Sequence, residues 1–271
     1  MSAFVRQNKQ DNKLSAAKPI GKVPPIASRK LRTDAFISTI AVAIVLSASM
    51  QLLASWQPVH SAAYNLAFLI YAVTSAFALG SLHYHPHDRF GLANIITLVR
   101  AAITSAFGGL VLTSSLRAEN QSLLWATAST VAVALILDGI DGFVARRTGK
   151  ASPFGSRFDV EIDTLMILFL SIAVLLLHKA GGWVILIGLM RYGHIAAQAI
   201  KPALRAEMHP SIRRKAIWVL QGPILCLTLL PVVQTPYSNI FSIIALIFLA
   251  WSLVVDIIFQ LEPKKRYCVR R

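Results

Sequence analysis

The sequence predicts an all-α fold, a polytopic membrane helix bundle of about eight spans. Of its 271 residues, 55% are hydrophobic and 14% are charged, which is outside the range of ordinary soluble domains. The mean hydropathy is +0.60. The apolar residues also form continuous stretches of about 20, the length that a helix needs to cross a bilayer. These stretches lack the alternation of barrel strands.

Eight stretches approach that length, and each is predicted to be one transmembrane helix: 34–55, 62–82, 92–114, 122–144, 159–179, 183–203, 215–232 and 237–259. Turn-forming residues end several of them. The segment "SWQP" follows the first, "HYHPHDRFG" separates the second from the third, and "TPYS" separates the last two. Because the loops are short, we expect consecutive helices to be mostly antiparallel neighbours.

The net charge of +15 indicates membrane topology rather than nucleic acid binding. Lysine and arginine concentrate in or beside segments on one side of such a bundle, which hold 23 of the 27. These segments are 1–33, 83–91, 145–158, 204–214 and 260–271. By the positive-inside rule they are cytoplasmic, as are both termini. We therefore expect an integral protein of a bacterial inner membrane, whose basic inner surface attracts anionic lipids.

Carboxylates cluster in the stretch "DGIDGFVARRTGKASPFGSRFDVEID", residues 138 to 163. Asp138 and Asp141 lie near the cytoplasmic end of the fourth span. With Gly142 and Ala145 they follow the spacing i, i+3, i+4, i+7, so all four share one helical face. The small side chains on that face leave room for a large ligand.

The fifth span continues the cluster, because Gly155, Asp159 and Asp163 are each four residues apart and share a face. A tight loop joins the two spans, so four aspartates can converge. Clustered anions repel one another unless a cation neutralises them. Carboxylate oxygens suit Mg²⁺, Mn²⁺ or Ca²⁺, and two such ions would clamp a diphosphate. The residues alone therefore predict a membrane enzyme that acts on a phosphoanhydride.

The same stretch resembles the signature of the CDP-alcohol phosphatidyltransferases, D-x2-D-G-x2-A-R-x8-G-x3-D-x3-D. It matches at all eight fixed positions: Asp138, Asp141, Gly142, Ala145, Arg146, Gly155, Asp159 and Asp163. The resemblance implies a six-helix core at 92–259. Outside this core lie two extra N-terminal spans at 34–91. From their composition we expect a basic, disordered tail at 1–33 and a basic tail at 260–271.

The resemblance also implies roles for the motif residues. The expected metal ligands are Asp138, Asp141, Asp159 and Asp163, of which Asp163 is also the catalytic base. The expected nucleotide pocket contains Gly142, Ala145, Arg146 and Gly155. The expected cofactor is Mg²⁺, with Mn²⁺ as the alternative, as two ions. The implied reaction moves a phosphatidyl group from a CDP-linked lipid to the hydroxyl of a small polar acceptor and releases CMP.

A second pattern precedes the motif on the third span, where Asn94, Thr97 and Arg100 are three residues apart. It is similar to the N-x2-T-x2-R pattern that borders the nucleotide site in that family. The alternative is a plain helix start capped by Asn94. We favour nucleotide binding, because an arginine inside a span is costly unless it is paired.

The acceptor is expected to bind near four basic residues: Arg191, Arg213, Arg214 and Lys215. Glycerol 3-phosphate is the first candidate, since arginine suits phosphate. Family members that use it often carry Arg-Glu where this chain has Arg191 and Tyr192. Inositol phosphate, serine, choline or another lipid therefore stay open.

Other features receive structural interpretations. We interpret His83, His85 and His87 as part of an interfacial turn at headgroup level, because their spacing matches no zinc site. Glu161 lies off the aspartate face. The two extra spans are assigned to packing, dimer formation or lipid contact. The competing functions are a cation transporter, which would place carboxylates near the midplane of repeated broken helices, and a prenyltransferase, which would need two separate aspartate motifs.

Overall fold

The computed structural model describes residues 28–85, 89–147, 152–200 and 212–261. Within these ranges it contains eight α-helices and no strand. They are α1 (Arg29–Trp56), α2 (Ser61–Gly80), α3 (Leu92–Leu112), α4 (Gln121–Arg147), α5 (Pro153–Leu176), α6 (Ile185–Ile200), α7 (Ile212–Leu229) and α8 (Tyr237–Leu261). Each matches one predicted span, which confirms the all-α membrane bundle.

Five of these helices, α1 to α4 and α8, are long and apolar enough to cross a membrane by length and composition. Helix α5 carries four charged residues in its first three turns, and the apolar parts of α6 and α7 are shorter. The charge of the motif therefore excludes α5 from the clear spans, whereas α6 and α7 are excluded by the length of their apolar parts within the described residues. Most of the predicted N-terminal tail (1–27) and the end of the C-terminal tail (262–271) lie outside the described residues.

Two helices, α1 and α5, begin about five residues or more before their predicted starts, because serine caps extend them into polar sequence. Ser28 accepts a hydrogen bond from the backbone N–H of Leu31 at 3.2 Å, and α1 starts at Arg29. Ser152 accepts one from Gly155 N–H at 3.0 Å, with Pro153 at the first helical position of α5. The second cap places the second half of the aspartate motif, from Gly155 to Asp163, on one helix.

Helix α3 lies at the centre of the bundle and contacts α1, α2, α4 and α5. Small residues allow these close approaches. A Cβ atom on Gly109 would overlap the backbone oxygen of Ala63 on α2, and one on Gly108 would overlap the ring of Phe169 on α5. The two extra helices therefore pack directly on the core, and dimer formation stays a prediction.

We expect Gly109→Ala to lower the stability of the bundle by about 1–3 kcal/mol, the usual cost of overpacking a tight interface. The atom that blocks the new methyl is backbone, so it cannot rotate away. Thermal unfolding of the detergent-solubilised protein measures the effect. The matched control is Gly193→Ala on α6, where a Cβ would meet nothing within 4 Å. Equal midpoints for the two variants would contradict the close α2–α3 contact.

Candidate active site

The four aspartates of the motif converge on one arginine. Asp138 and Asp141 come from α4, Asp159 and Asp163 from α5, and Arg100 from α3. The guanidinium Nη2 lies 2.9 Å from Asp138 Oδ1, and Nη1 lies 3.0 Å from Asp141 Oδ2. Arg100 also forms ion pairs with Asp159 and Asp163. The helical spacing thus correctly predicts the convergence of the carboxylates.

This cluster is closed at one end and open at the other. The side chains of Arg100 and Asp141 are 3% and 4% exposed. Thr97 Oγ1 donates a hydrogen bond to Asp141 Oδ2 at 3.1 Å and so helps to hold the closed end. The Asp163 side chain is 35% exposed and faces the open end. Thr97 and Arg100 therefore contact the carboxylates themselves.

The aspartates fit a divalent cation. Asp138, Asp141 and Asp159 each offer an oxygen, and these oxygens lie within 4.8 Å of one another. Hard carboxylate oxygens are the ligands that Mg²⁺ and Mn²⁺ prefer. One guanidinium against four carboxylates leaves an excess of negative charge, which a cation would offset. Asp163 is not part of this group of three.

On the other side of the cluster, Gly155 packs against Asn94. A Cβ on Gly155 would lie 2.8 Å from Asn94 Oδ1, so a larger residue at 155 would displace the Asn94 side chain. The alternative interpretation, in which Asn94 caps the start of α3, is wrong. The helix already begins at Leu92, and the Asn94 amide instead donates to the carbonyl of Phe90. Gly142 is half-buried on α4.

For two of the predicted nucleotide residues, the structure does not describe the side chain. The side chains of Ala145 and Arg146, and the loop 148–151, lie outside the described residues. Their assignment to the nucleotide pocket therefore rests on the motif alone.

A cavity of about 420 Å³ opens beside Asp163, between α5, α6, α7 and α8. Its polar lining includes Asp163, Arg191, His194, Arg214 and Asp256. Within the described part of the chain, two buried nitrogens of this lining, Arg191 Nε and His194 Nδ1, have no hydrogen-bond partner. Buried polar atoms are usually paired, so their arrangement suits a polar ligand. We name this space the polar cavity.

Only some of the predicted acceptor residues line the polar cavity. Arg191 and Arg214 line the polar cavity, whereas Arg213 is not among its lining residues. Arg213 instead donates to Asp256 Oδ1 at 3.1 Å and lies over the ring of Trp251 at 4.9 Å. The side chain of Lys215 lies outside the described residues.

A smaller cavity of about 90 Å³ borders the other side of Asp163. Asp138 and Arg100 form its polar end, and most of its remaining walls are apolar side chains from α4, α5 and α7. We name it the apolar cavity. Asp163 thus borders both cavities.

Sequence reasoning missed three contributors to this region. Asp256 on α8 pairs with Arg213 and lies 3.8 Å from Arg214. Its position inside a very apolar helix was the available signal, because such a carboxylate needs a partner. Glu161, which was set aside, lies 3.4 Å from Arg191. His85 is buried within the bundle, where its ring nitrogens contact Arg89 and Ser152; His87 lies outside the described residues.

The comparison with known families agrees with this geometry. A family model described as CDP-alcohol phosphatidyltransferase matches residues 90–257, which is more than half of the chain. No curated protein and no solved structure gives a significant match. The family match favours a CDP-alcohol phosphatidyltransferase over the cation transporter and the prenyltransferase.

Proposed function

Since the chain belongs to the CDP-alcohol phosphatidyltransferase family, we propose that it transfers the phosphatidyl group of CDP-diacylglycerol to glycerol 3-phosphate in phospholipid synthesis. The family establishes transfer from a CDP-alcohol to an acceptor. The identities of donor and acceptor are our proposal. The observation that carries it is Asp163, which borders both the polar and the apolar cavity.

The donor is proposed to lie across the open end of the cluster. Its diphosphate would face Asp138, Asp141 and Asp159, while its acyl chains extend from the apolar cavity into the bilayer. When bound to these carboxylates, one or two divalent cations, most simply Mg²⁺, would offset the charge of the diphosphate and of departing CMP. The nucleotide would lie on the side of Asn94, Gly142 and Gly155, as the family motif implies.

Asp163 is the proposed general base. Its carboxylate lies at the boundary of the polar cavity, where it can take the proton of the acceptor hydroxyl. That oxygen attacks the phosphorus on the lipid side. The bond to the bridging oxygen breaks, and CMP leaves with the electron pair.

The acceptor is proposed to occupy the polar cavity. The unpaired Arg191 Nε and His194 Nδ1 support this location, and Arg191 and Arg214 would receive the phosphate. Asp256 balances part of the charge of Arg213 and Arg214, and Glu161 balances part of that of Arg191. Arg191 and Arg214, which both line the polar cavity, would therefore bind a single phosphate together. The skew of basic residues supports a cytoplasmic site, and we propose a bacterial inner membrane as its location.

The test is CMP release by the purified protein from labelled CDP-diacylglycerol with Mg²⁺. Glycerol 3-phosphate, inositol phosphate, serine and choline are offered separately. We expect release with glycerol 3-phosphate and the corresponding lipid product. Release with another acceptor alone would replace the acceptor but keep the reaction, whereas no release with any acceptor would overturn the proposed function.

We expect Arg191→Gln to raise the KM for the acceptor by about 10- to 100-fold, because a hydrogen bond to a charged group contributes about 1.5–3 kcal/mol. The KM for the donor should stay within about twofold of the wild-type value. Arg213→Gln is the matched comparison and should change the acceptor KM much less, since Arg213 does not line the polar cavity. Equal effects of the two variants would argue against the assignment of Arg191.

A further inference from the structure

His85 connects the extra N-terminal helices to the start of α5, the helix that carries the second half of the aspartate motif. It follows α2 in the chain and precedes the residues that match the family model, which begin at 90. Its side chain is more than nine-tenths buried, as is that of Ser152, the cap of α5. The family model does not cover this buried histidine, so its role needs a separate explanation.

Both ring nitrogens of His85 have partners. Nε2 lies 3.0 Å from the carbonyl oxygen of Arg89, and Nδ1 lies 3.1 Å from Ser152 Oγ. A carbonyl oxygen only accepts, so Nε2 carries the proton. In the neutral ring Nδ1 then accepts from the Ser152 hydroxyl, whose oxygen accepts from Gly155 N–H at 3.0 Å. The three groups form one directed chain of hydrogen bonds.

Asn94 on α3 makes a second link between the segment that follows His85 and the start of α5. Its amide donates to the carbonyl of Phe90, and its oxygen is the atom that limits the space at Gly155. The His85 ring also packs edge-on against Phe154, with centroids 5.5 Å apart. Displacement of the His85 segment would therefore shift both the cap of α5 and the start of α3.

We propose that His85 is a positioning residue for the nucleotide site: through Ser152 it sets the place of Gly155 and Asn94, and so gives the N-terminal extension a part in donor binding. The inference rests on the proposed function only for the ligand, the cytidine diphosphate half of the donor. The reaction chemistry itself does not involve His85.

Two substitutions separate the two hydrogen bonds. In His85→Asn the side-chain oxygen can take the place of Nδ1 and accept from Ser152. In His85→Gln the amide nitrogen can take the place of Nε2 and donate to Arg89, but the bond to Ser152 is lost. His85→Ala removes both, and His83→Ala is the matched control, because His83 is an exposed histidine of the same turn.

The experiment combines three measurements on the full-length protein. We expect His85→Ala and His85→Gln to raise the KM for CDP-diacylglycerol about 5- to 10-fold with kcat within about twofold, and His85→Asn to stay near wild type. Binding of CDP with Mg²⁺, measured by calorimetry, should weaken by the same factor. Backbone hydrogen exchange at the start of α5 should become faster in the two weakened variants alone.

Three outcomes would overturn the proposal. Unchanged exchange in His85→Ala would show that the histidine does not hold the start of α5. Faster exchange with unchanged CDP affinity would reduce it to a structural role, and equal loss in His85→Asn and His85→Gln would exclude the Ser152 bond as the cause. Absence of CMP release by the wild-type protein would contradict the proposed reaction, while exchange and CDP binding would still decide the role of His85.

Discussion

Asp163→Asn is expected to lower kcat by about 10²- to 10⁴-fold, the usual contribution of a positioned general base. The amide keeps the size of the carboxylate but cannot take a proton from the acceptor hydroxyl. Because Asp163 stands outside the three carboxylates whose oxygens cluster within 4.8 Å, we expect the Mg²⁺ concentration for half-maximal activity to change little. Steady-state CMP release at a series of Mg²⁺ concentrations measures both quantities.

Two further variants sharpen this result. Asp159→Asn should raise the Mg²⁺ requirement, since Asp159 belongs to the group of three. Asp34→Asn on α1 is the isosteric control away from the site and should behave as wild type. A loss of less than about tenfold in Asp163→Asn would show that another group accepts the proton.

The second large effect is expected at Arg100. In Arg100→Gln the four aspartates lose the guanidinium that contacts each of them. Removal of one partner from a buried ion pair costs about 3–5 kcal/mol, because it leaves an uncompensated buried charge. We therefore expect a clear drop in the thermal unfolding midpoint in the presence of a chelator.

Mg²⁺ should restore part of this stability. A site that has lost its internal cation binds a divalent ion more tightly, and ligand binding to the native state raises its stability. The Mg²⁺-induced rise should therefore be larger in Arg100→Gln than in the wild type. Arg117→Gln, in an exposed loop, is the control. If both variants have the same midpoint in chelator, the four ion pairs do not stabilise the fold.

The sequence was most informative where structure is local. The spacing of Asp138 and Asp141, and of Asp159 and Asp163, correctly predicted two helical faces, because a helix repeats at 3.6 residues whatever surrounds it. The eight helices were predicted from apolar length, because a helix needs about 20 apolar residues to cross a bilayer. The caps Ser28 and Ser152 were missed, since polar residues that precede an apolar run look like loop until a cap is recognised.

Contacts between distant helices were harder to predict. Arg100 was expected to border the nucleotide, yet it contacts all four aspartates. Asp256 and Arg213 are 43 residues apart, and no periodicity links them. Which side chains meet across a bundle depends on how the helices cross and how far they are shifted along one another. Neither quantity can be derived from spacing within one helix.

The position of Arg100 also bears on how the chain is made. Insertion of α3 alone would carry an unpaired arginine into lipid, which costs about 2.5–3.5 kcal/mol in translocon-mediated insertion. Its partners are synthesised later, on α4 and α5. The apolar remainder of α3 must therefore outweigh this cost, or α3 must wait beside the translocon until Asp138 and Asp163 have followed. The charge cluster thus favours release of these three helices into the membrane as one assembled unit.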